Sequence, residues 1–153
     1  MEIVFKFEML NETSILDSKK ERIMDYNTLA KKAVEAKFKA LPTYSNFHVG
    51  SALLTENDEL FIGCNIESSS YSLTICAERT AIFKALSEGA RKFKAFAIAA
   101  DAPGFCPPCG ACRQVISDLC GDIDVVMIDH SENLKIMKIS ELLPLAFSDK
   151  DLI

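Results

Sequence analysis

Alternating helix-like and strand-like patterning along 153 residues predicts an α/β protein, with helices on both faces of one mixed, mainly five-stranded sheet: a three-layer α/β/α sandwich. Two observations carry this expectation. Small apolar residues recur at steps of three and four in three separate stretches, and between them lie short apolar runs of buried-strand type bounded by turn residues. With 49% of residues apolar and 25% charged, the chain has enough apolar surface to offset the entropy of ordering one domain.

Over 25–41, Leu29, Ala33, Ala36 and Ala40 recur on one face, with Ala30, Val34 and Leu41 beside them, and predict an amphipathic helix. Its end is expected near Leu41, because Pro42 and the turn-forming Thr43-Tyr44-Ser45-Asn46 follow. Residues 47–55 and 60–66 are β-prone runs joined by Glu56-Asn57-Asp58-Glu59, which predicts a hairpin. A second helix is expected over 74–88, where Ala77, Ala81 and Ala85 stand four apart and Gly89 offers a left-handed cap. The run 94–100 is a strand ended by Asp101-Ala102-Pro103-Gly104. Over 110–120, Ala111, Val115 and Leu119 share a face and Gly121 closes a third helix. Residues 123–128 and 134–139 read as two more strands, and Ile139 to Pro144 as a last helical turn. Ahead of these, Ile3, Phe5, Phe7 and Met9 alternate as a half-buried strand would, in an N-terminal extension over 1–23 that precedes the main domain at 24–153. The mixed-sign run Lys19-Lys20-Glu21-Arg22 reads as solvated surface.

A net charge of −5 lacks the clustered Lys and Arg that a phosphate backbone demands, so nucleic acid is not an expected partner and a small ligand fits better. No apolar run approaches the roughly 20 residues of a membrane-spanning helix. Glu2, Lys6 and Glu8 interrupt the apolar core that a signal peptide needs. The expectation is a cytoplasmic protein whose six cysteines stay as thiols. Only two histidines exist, His48 and His130, so a metal site would be built largely from sulfur, which narrows the metal to zinc or iron–sulfur.

The chemistry concentrates in Cys76-Ala77-Glu78-Arg79 and Pro108-Cys109-Gly110-Ala111-Cys112, each at an expected helix start. A helix N-terminus carries partial positive charge and unpaired N–H groups, and it favours the thiolate that a metal requires. Cys109 and Cys112 share one turn and can grip one ion, with Cys76 supplying a third bond. Three protein ligands leave a fourth zinc position open for a water of lowered pKa, which suits hydrolysis. Glu78, two residues beyond Cys76, is placed to carry protons without being a ligand. Other readings stay open on these residues alone. The Cys-x-x-Cys segment also suits a structural metal clip or a thiol redox pair, and Cys64, Cys106, Cys120, His48 or His130 would be the fourth ligand of a closed site. Cys64 and Cys120 read as core packing, Cys106 as a loop residue.

The cysteine spacing resembles the all-cysteine form of the zinc deaminase signature. Together with Phe47-His48-Val49-Gly50-Ser51-Ala52, Gly63-Cys64-Asn65-Ile66-Glu67 and Cys112-Arg113-Gln114-Val115, in this order, the sequence from about 25 to 152 resembles the small, homotetrameric, zinc-dependent cytidine deaminases. The resemblance implies their fold, one Zn²⁺ per chain on Cys76, Cys109 and Cys112, and hydrolytic deamination of cytidine and 2′-deoxycytidine in pyrimidine salvage, with Glu78 relaying protons. It implies that Asn65 and Glu67 bind ribose hydroxyls, that Phe47 packs on the pyrimidine and that Ala77 also meets the substrate. Arg79 would withdraw charge from the thiolates, and Phe147 would enter a neighbouring subunit's pocket. His48 stands where that family usually has proline, and Ser68-Ser69-Ser70 replaces its more usual asparagine and alanine after the glutamate. Tyr71 and Gln114 resemble family positions near the site or subunit contacts, and a purely structural role serves them equally well. A deaminase for another aminopyrimidine nucleoside, of the blasticidin kind, is the alternative within the class.

Overall fold

A computed structural model describes residues 26–152. The expected strand around Ile3 to Met9 and the charged run at 19–22 lie outside the described residues. From residue 26 the chain is helical to residue 37 (α1). A hairpin of β1 (Val49–Thr55) and β2 (Leu60–Cys64) follows, then a single 3₁₀ turn (Tyr71–Leu73) and α2 (Ala77–Ser87). After β3 (Phe93–Ala100) come α3 (Gly110–Cys120), β4 (Asp124–Ile128), β5 (Leu134–Lys138) and the single turn α4 (Ile139–Leu142), with a last 3₁₀ turn at Asp149–Asp151.

The sheet runs β2-β1-β3-β4-β5. Among the strands of the described residues only the β3–β4 pair is parallel, and it needs the α3 crossover; the other pairs are antiparallel. The central strands β1, β3 and β4 are buried almost throughout, which is why they read as unbroken apolar runs, whereas the edge strand β5 is largely exposed.

The pleat of β3 sorts side chains by size. Ala95, Ala97 and Ala99 join Leu29, Ala30 and Ala33 of α1, while Phe96 and Ile98 join Ala81, Ile82 and Ala85 of α2 and Ile116 of α3 on the opposite face. Two glycines permit helix and strand backbones to touch. A Cβ on Gly50 would stand 2.2 Å from the Ala33 carbonyl oxygen, and one on Gly63 would stand 2.4 Å from that of Ala77. Because α2 and α3 each follow a strand of the same direction and return over the same face, both begin at one edge of the sheet.

Several boundaries differ from expectation: the second hairpin strand ends at Cys64 rather than Ile66, β3, β4 and β5 each differ by one residue at one end, and three further differences concern α1, α2 and the start of β1. The first helix ends at residue 37 rather than near Leu41. Lys39 and Ala40 tighten into turns on Ala36 and Lys37, and Leu41 then leaves to pair with the chain at Asn65–Glu67 through two backbone bonds of 2.9 and 3.1 Å. The second helix starts three residues later than expected, because Ile75 is drawn into a bridge with Ile66. Phe47 and His48 precede β1 rather than lying in it. Gly89 takes the expected positive φ at the end of α2, and Gly121, which closes α3 as expected, also has a positive φ.

Candidate active site

Cys76 and Cys109 are the N-cap residues of α2 and α3, and neither sulfur makes a capping hydrogen bond. N-cap side chains normally turn back onto the helix N–H groups. Here the sulfurs are left for another partner. Cys112, one turn into α3, is fully buried. The three Sγ atoms lie within 4.8 Å of one another, with Cys76 and Cys109 4.0 Å apart. Zinc–sulfur bonds of about 2.3 Å at tetrahedral angles set sulfur–sulfur separations near ~3.8 Å, so the cluster fits one zinc ion.

Arg79, on the first turn of α2, donates to the Cys76 sulfur at 3.4 Å and to the Thr74 carbonyl at 3.3 Å. Its buried Nε has no partner among the described residues, leaving a donor beside an anionic centre. The Cys112 thiol and then the Arg79 guanidinium, by hydrogen-bonding to Cys76, bring that thiol down to about 5 against the opposing effect of burial. Cys112 is pushed up by its hydrogen bond to Cys76 and by burial. Displacing the thiol proton by a dication relieves the crowding of charge, and thiolates are the form a metal takes.

Glu78 is only 4% exposed. Burial raises its carboxyl, with the Cys76 charge adding to the shift and its own N–H and the Cys112 thiol opposing it. A buried carboxyl beside the cluster and outside it is what a proton carrier requires. No other cysteine, histidine or carboxylate joins the three thiols among the described residues. Cys106 is half-buried and feels the Glu78 charge, so it borders the site. Cys64 donates to the Lys39 carbonyl, Cys120 packs against the core, His48 pairs with Asp101 and His130 with the Pro103 carbonyl.

Beside the cluster, Ile66 and Ile75 exchange two backbone bonds of 3.0 Å, which aligns Asn65–Glu67 with the approach to Cys76. Asn65 accepts from the Val49 N–H and donates to the Phe47 carbonyl, both at 2.8 Å. Glu67 accepts from the Tyr44 and Ser45 N–H groups at 2.6 and 3.1 Å, and from the Ser45 hydroxyl. These bonds hold the carboxyl below its usual range. Both side chains therefore clamp the segment carrying Phe47, which is 37% exposed. One amide N–H of Asn65 and lone pairs on both residues remain for other donors and acceptors.

Sequence reasoning passed over three contributors. Ser51 Oγ donates to the Ala77 carbonyl at 2.7 Å, fixing the start of α2 to β1. Gly63 admits that start against β2. Arg113 donates to the Pro108 carbonyl from Nε and to the Leu142 carbonyl from a terminal nitrogen, both at 2.8 Å, and so pins the turn before Cys109 to α4. A glycine and a serine inside otherwise apolar strands were the available signals. Phe147 is 57% exposed, and its carbonyl accepts from Gln114.

Three thiols that can hold one zinc ion, with a buried carboxyl alongside, fit a zinc-dependent hydrolase. The family profile described as the cytidine and deoxycytidylate deaminase zinc-binding region matches residues 24–129. A cytidine deaminase of Sporosarcina psychrophila is 48% identical over 130 residues, which are 84% of this chain and 96% of that protein. The corresponding protein of Halalkalibacterium halodurans is 47% identical over 130 residues, 84% of this chain and 98% of that one. The crystal structure of a cytidine deaminase from Burkholderia pseudomallei superposes with a TM-score of 0.76 at 43% identity, covering 78% of this chain and 97% of that one. This chain belongs to the cytidine and deoxycytidylate deaminase family.

Proposed function

We propose that this protein hydrolyses cytidine and 2′-deoxycytidine to uridine and 2′-deoxyuridine with release of ammonia, serving pyrimidine salvage in the cytoplasm. The observation that carries the reading is the gathering of Cys76, Cys109 and Cys112 at two helix starts with Glu78 buried beside them. The three sulfurs would hold zinc, which supplies a water acidified to near neutrality as the nucleophile. Glu78, buried beside the sulfurs, would accept a proton where water adds to C4 of the base and would donate protons at ring N3 and at the departing amine. Its raised affinity for protons suits both halves of this task. Arg79, by donating to Cys76, drains charge from the sulfurs and offsets the electron richness of a three-thiolate centre.

Phe47 offers the base an aromatic face, and Asn65 and Glu67 offer ribose hydroxyls their remaining hydrogen-bonding capacity. Ala77, as the first residue of α2, has an N–H with no intrahelical acceptor, which is free to meet the substrate. The catalytic domain spans 24–153, with 1–23 as an extension. Exposed Phe38, Tyr71, Leu73, Leu145 and Phe147 support assembly into a homotetramer in which Phe147 reaches a neighbouring site. Among the described residues no helix is long and apolar enough to cross a membrane.

The test follows the ultraviolet change on deamination, with ammonia and zinc quantified. Conversion of both nucleosides by protein holding about one zinc per chain is expected. A zinc-loaded protein inert toward both would overturn the substrate assignment and direct the search to other aminopyrimidine nucleosides.

A further inference from the structure

Three consecutive residues, Phe47, His48 and Val49, enter β1 with every backbone N–H and C=O engaged. Ser45 Oγ accepts from the Phe47 N–H at 3.1 Å, and Asn65 serves the Phe47 carbonyl and both polar groups of Val49. The middle residue is served by Asp101 alone. Asp101 Oδ2 accepts from the His48 N–H at 3.2 Å and from its ring Nδ1 at 2.7 Å, while the Asp101 N–H donates to the His48 carbonyl at 3.0 Å. The other carboxylate oxygen, Oδ1, takes Lys37 at the end of α1 at 2.9 Å. Lys37 is itself fixed, because its backbone nitrogen lies where a Cβ on Gly50 would be 2.2 Å away. The end of α1, the start of β1 and the end of β3 thus meet on one carboxylate.

We infer that Asp101 is a positioning residue for substrate binding, holding the Phe47 ring at the base pocket through the backbone of His48. This rests on the proposed contact between Phe47 and the pyrimidine. A segment held only by Asn65 would be fixed at its two ends and free to bow at its centre, moving the ring that a planar base must meet. Charge is central to the hold: Lys37 and then His48 keep the Asp101 carboxyl below its ordinary range, so it stays an acceptor throughout the neutral region.

The experiment is a double-mutant cycle on the zinc-loaded enzyme with cytidine. Asp101→Ala is expected to raise KM about ten-fold with kcat within about two-fold and zinc content unchanged. Asp101→Asn, which keeps an oxygen for the His48 N–H but gives up the charge that Lys37 meets, recovers only part of that loss. In a Phe47→Ala background, Asp101→Ala adds less than about two-fold, because the ring it positions is gone. An unchanged KM in Asp101→Ala, or an equal rise with and without Phe47, overturns the inference while leaving the contact of Phe47 intact. An unchanged KM in Phe47→Ala overturns that contact and this inference together. Should Asp101→Ala fail to fold, Asp101→Asn carries the test, with a KM rise of about three-fold that disappears in the Phe47→Ala background expected and an unchanged value contradicting it.

Discussion

The thiol cluster and the Phe47 segment adjoin one another through the Ile66–Ile75 bridge, yet they are held in different ways. Cys76 and Cys109 are placed by backbone, each as the cap of its own helix, and Cys112 follows one turn later. The Phe47 segment is placed by side chains that arrive from elsewhere in the chain: Asn65, 18 residues away, and Asp101, 53 residues from His48. One half of the proposed site is fixed by secondary structure, the other by a net of single hydrogen bonds. Substitutions in the first half should therefore act on the chemical step or the metal, and those in the second on binding.

Glu78→Gln carries the largest expected effect. It keeps the shape of the side chain and loses proton transfer, so kcat falls by about 10²- to 10⁴-fold while zinc stays bound. Stopped assays of uridine formation with metal analysis read both quantities. Arg79→Ala is expected next, lowering activity or zinc affinity by about 10- to 100-fold, because the charge on the Cys76 sulfur is no longer shared. A thermal melt should show a smaller change than the kinetics. Normal turnover with full zinc would remove Arg79 from the account.

Asn65→Ala probes the second half. It leaves the Phe47 carbonyl and the Val49 N–H without their partner, at a cost of about 1–3 kcal/mol for each group that water does not reach. A raised KM together with a lowered melting temperature is expected, against an almost unchanged kcat. The smallest effect belongs to Cys120, outside both halves. Burial pushes its thiol up to about 12, so at pH 8 only about 10⁻⁴ of it is thiolate, and rising pH exposes it to alkylation only far above neutrality. Mass spectrometry after iodoacetamide treatment at pH 8 should find Cys120 unmodified, and Cys120→Ala should turn over normally.

The same division decides what could be read beforehand. The cluster was legible because its members lie within the first turns of two helices whose periodicity and closing glycines are local signals. The central strands were legible as unbroken apolar runs covered on both faces. The end of α1 was not, since Leu41 is taken by a pairing with the chain 25 residues on, and apolar periodicity does not register such competition. Glu67 and Asn65 were expected at the substrate from resemblance alone, and their work in holding residues 44–49 emerges only from the fold. Asp101 looked like a turn residue ending a strand, which it also is.

The central claim is that three thiols from two helix starts form an open zinc centre. Zinc K-edge X-ray absorption on the purified protein reads the coordination shell directly. Three sulfurs at about 2.3 Å with one oxygen or nitrogen at about 2.0 Å is the expected result. A shell of four sulfurs would make Cys106 or another thiol a ligand, close the site and contradict the account.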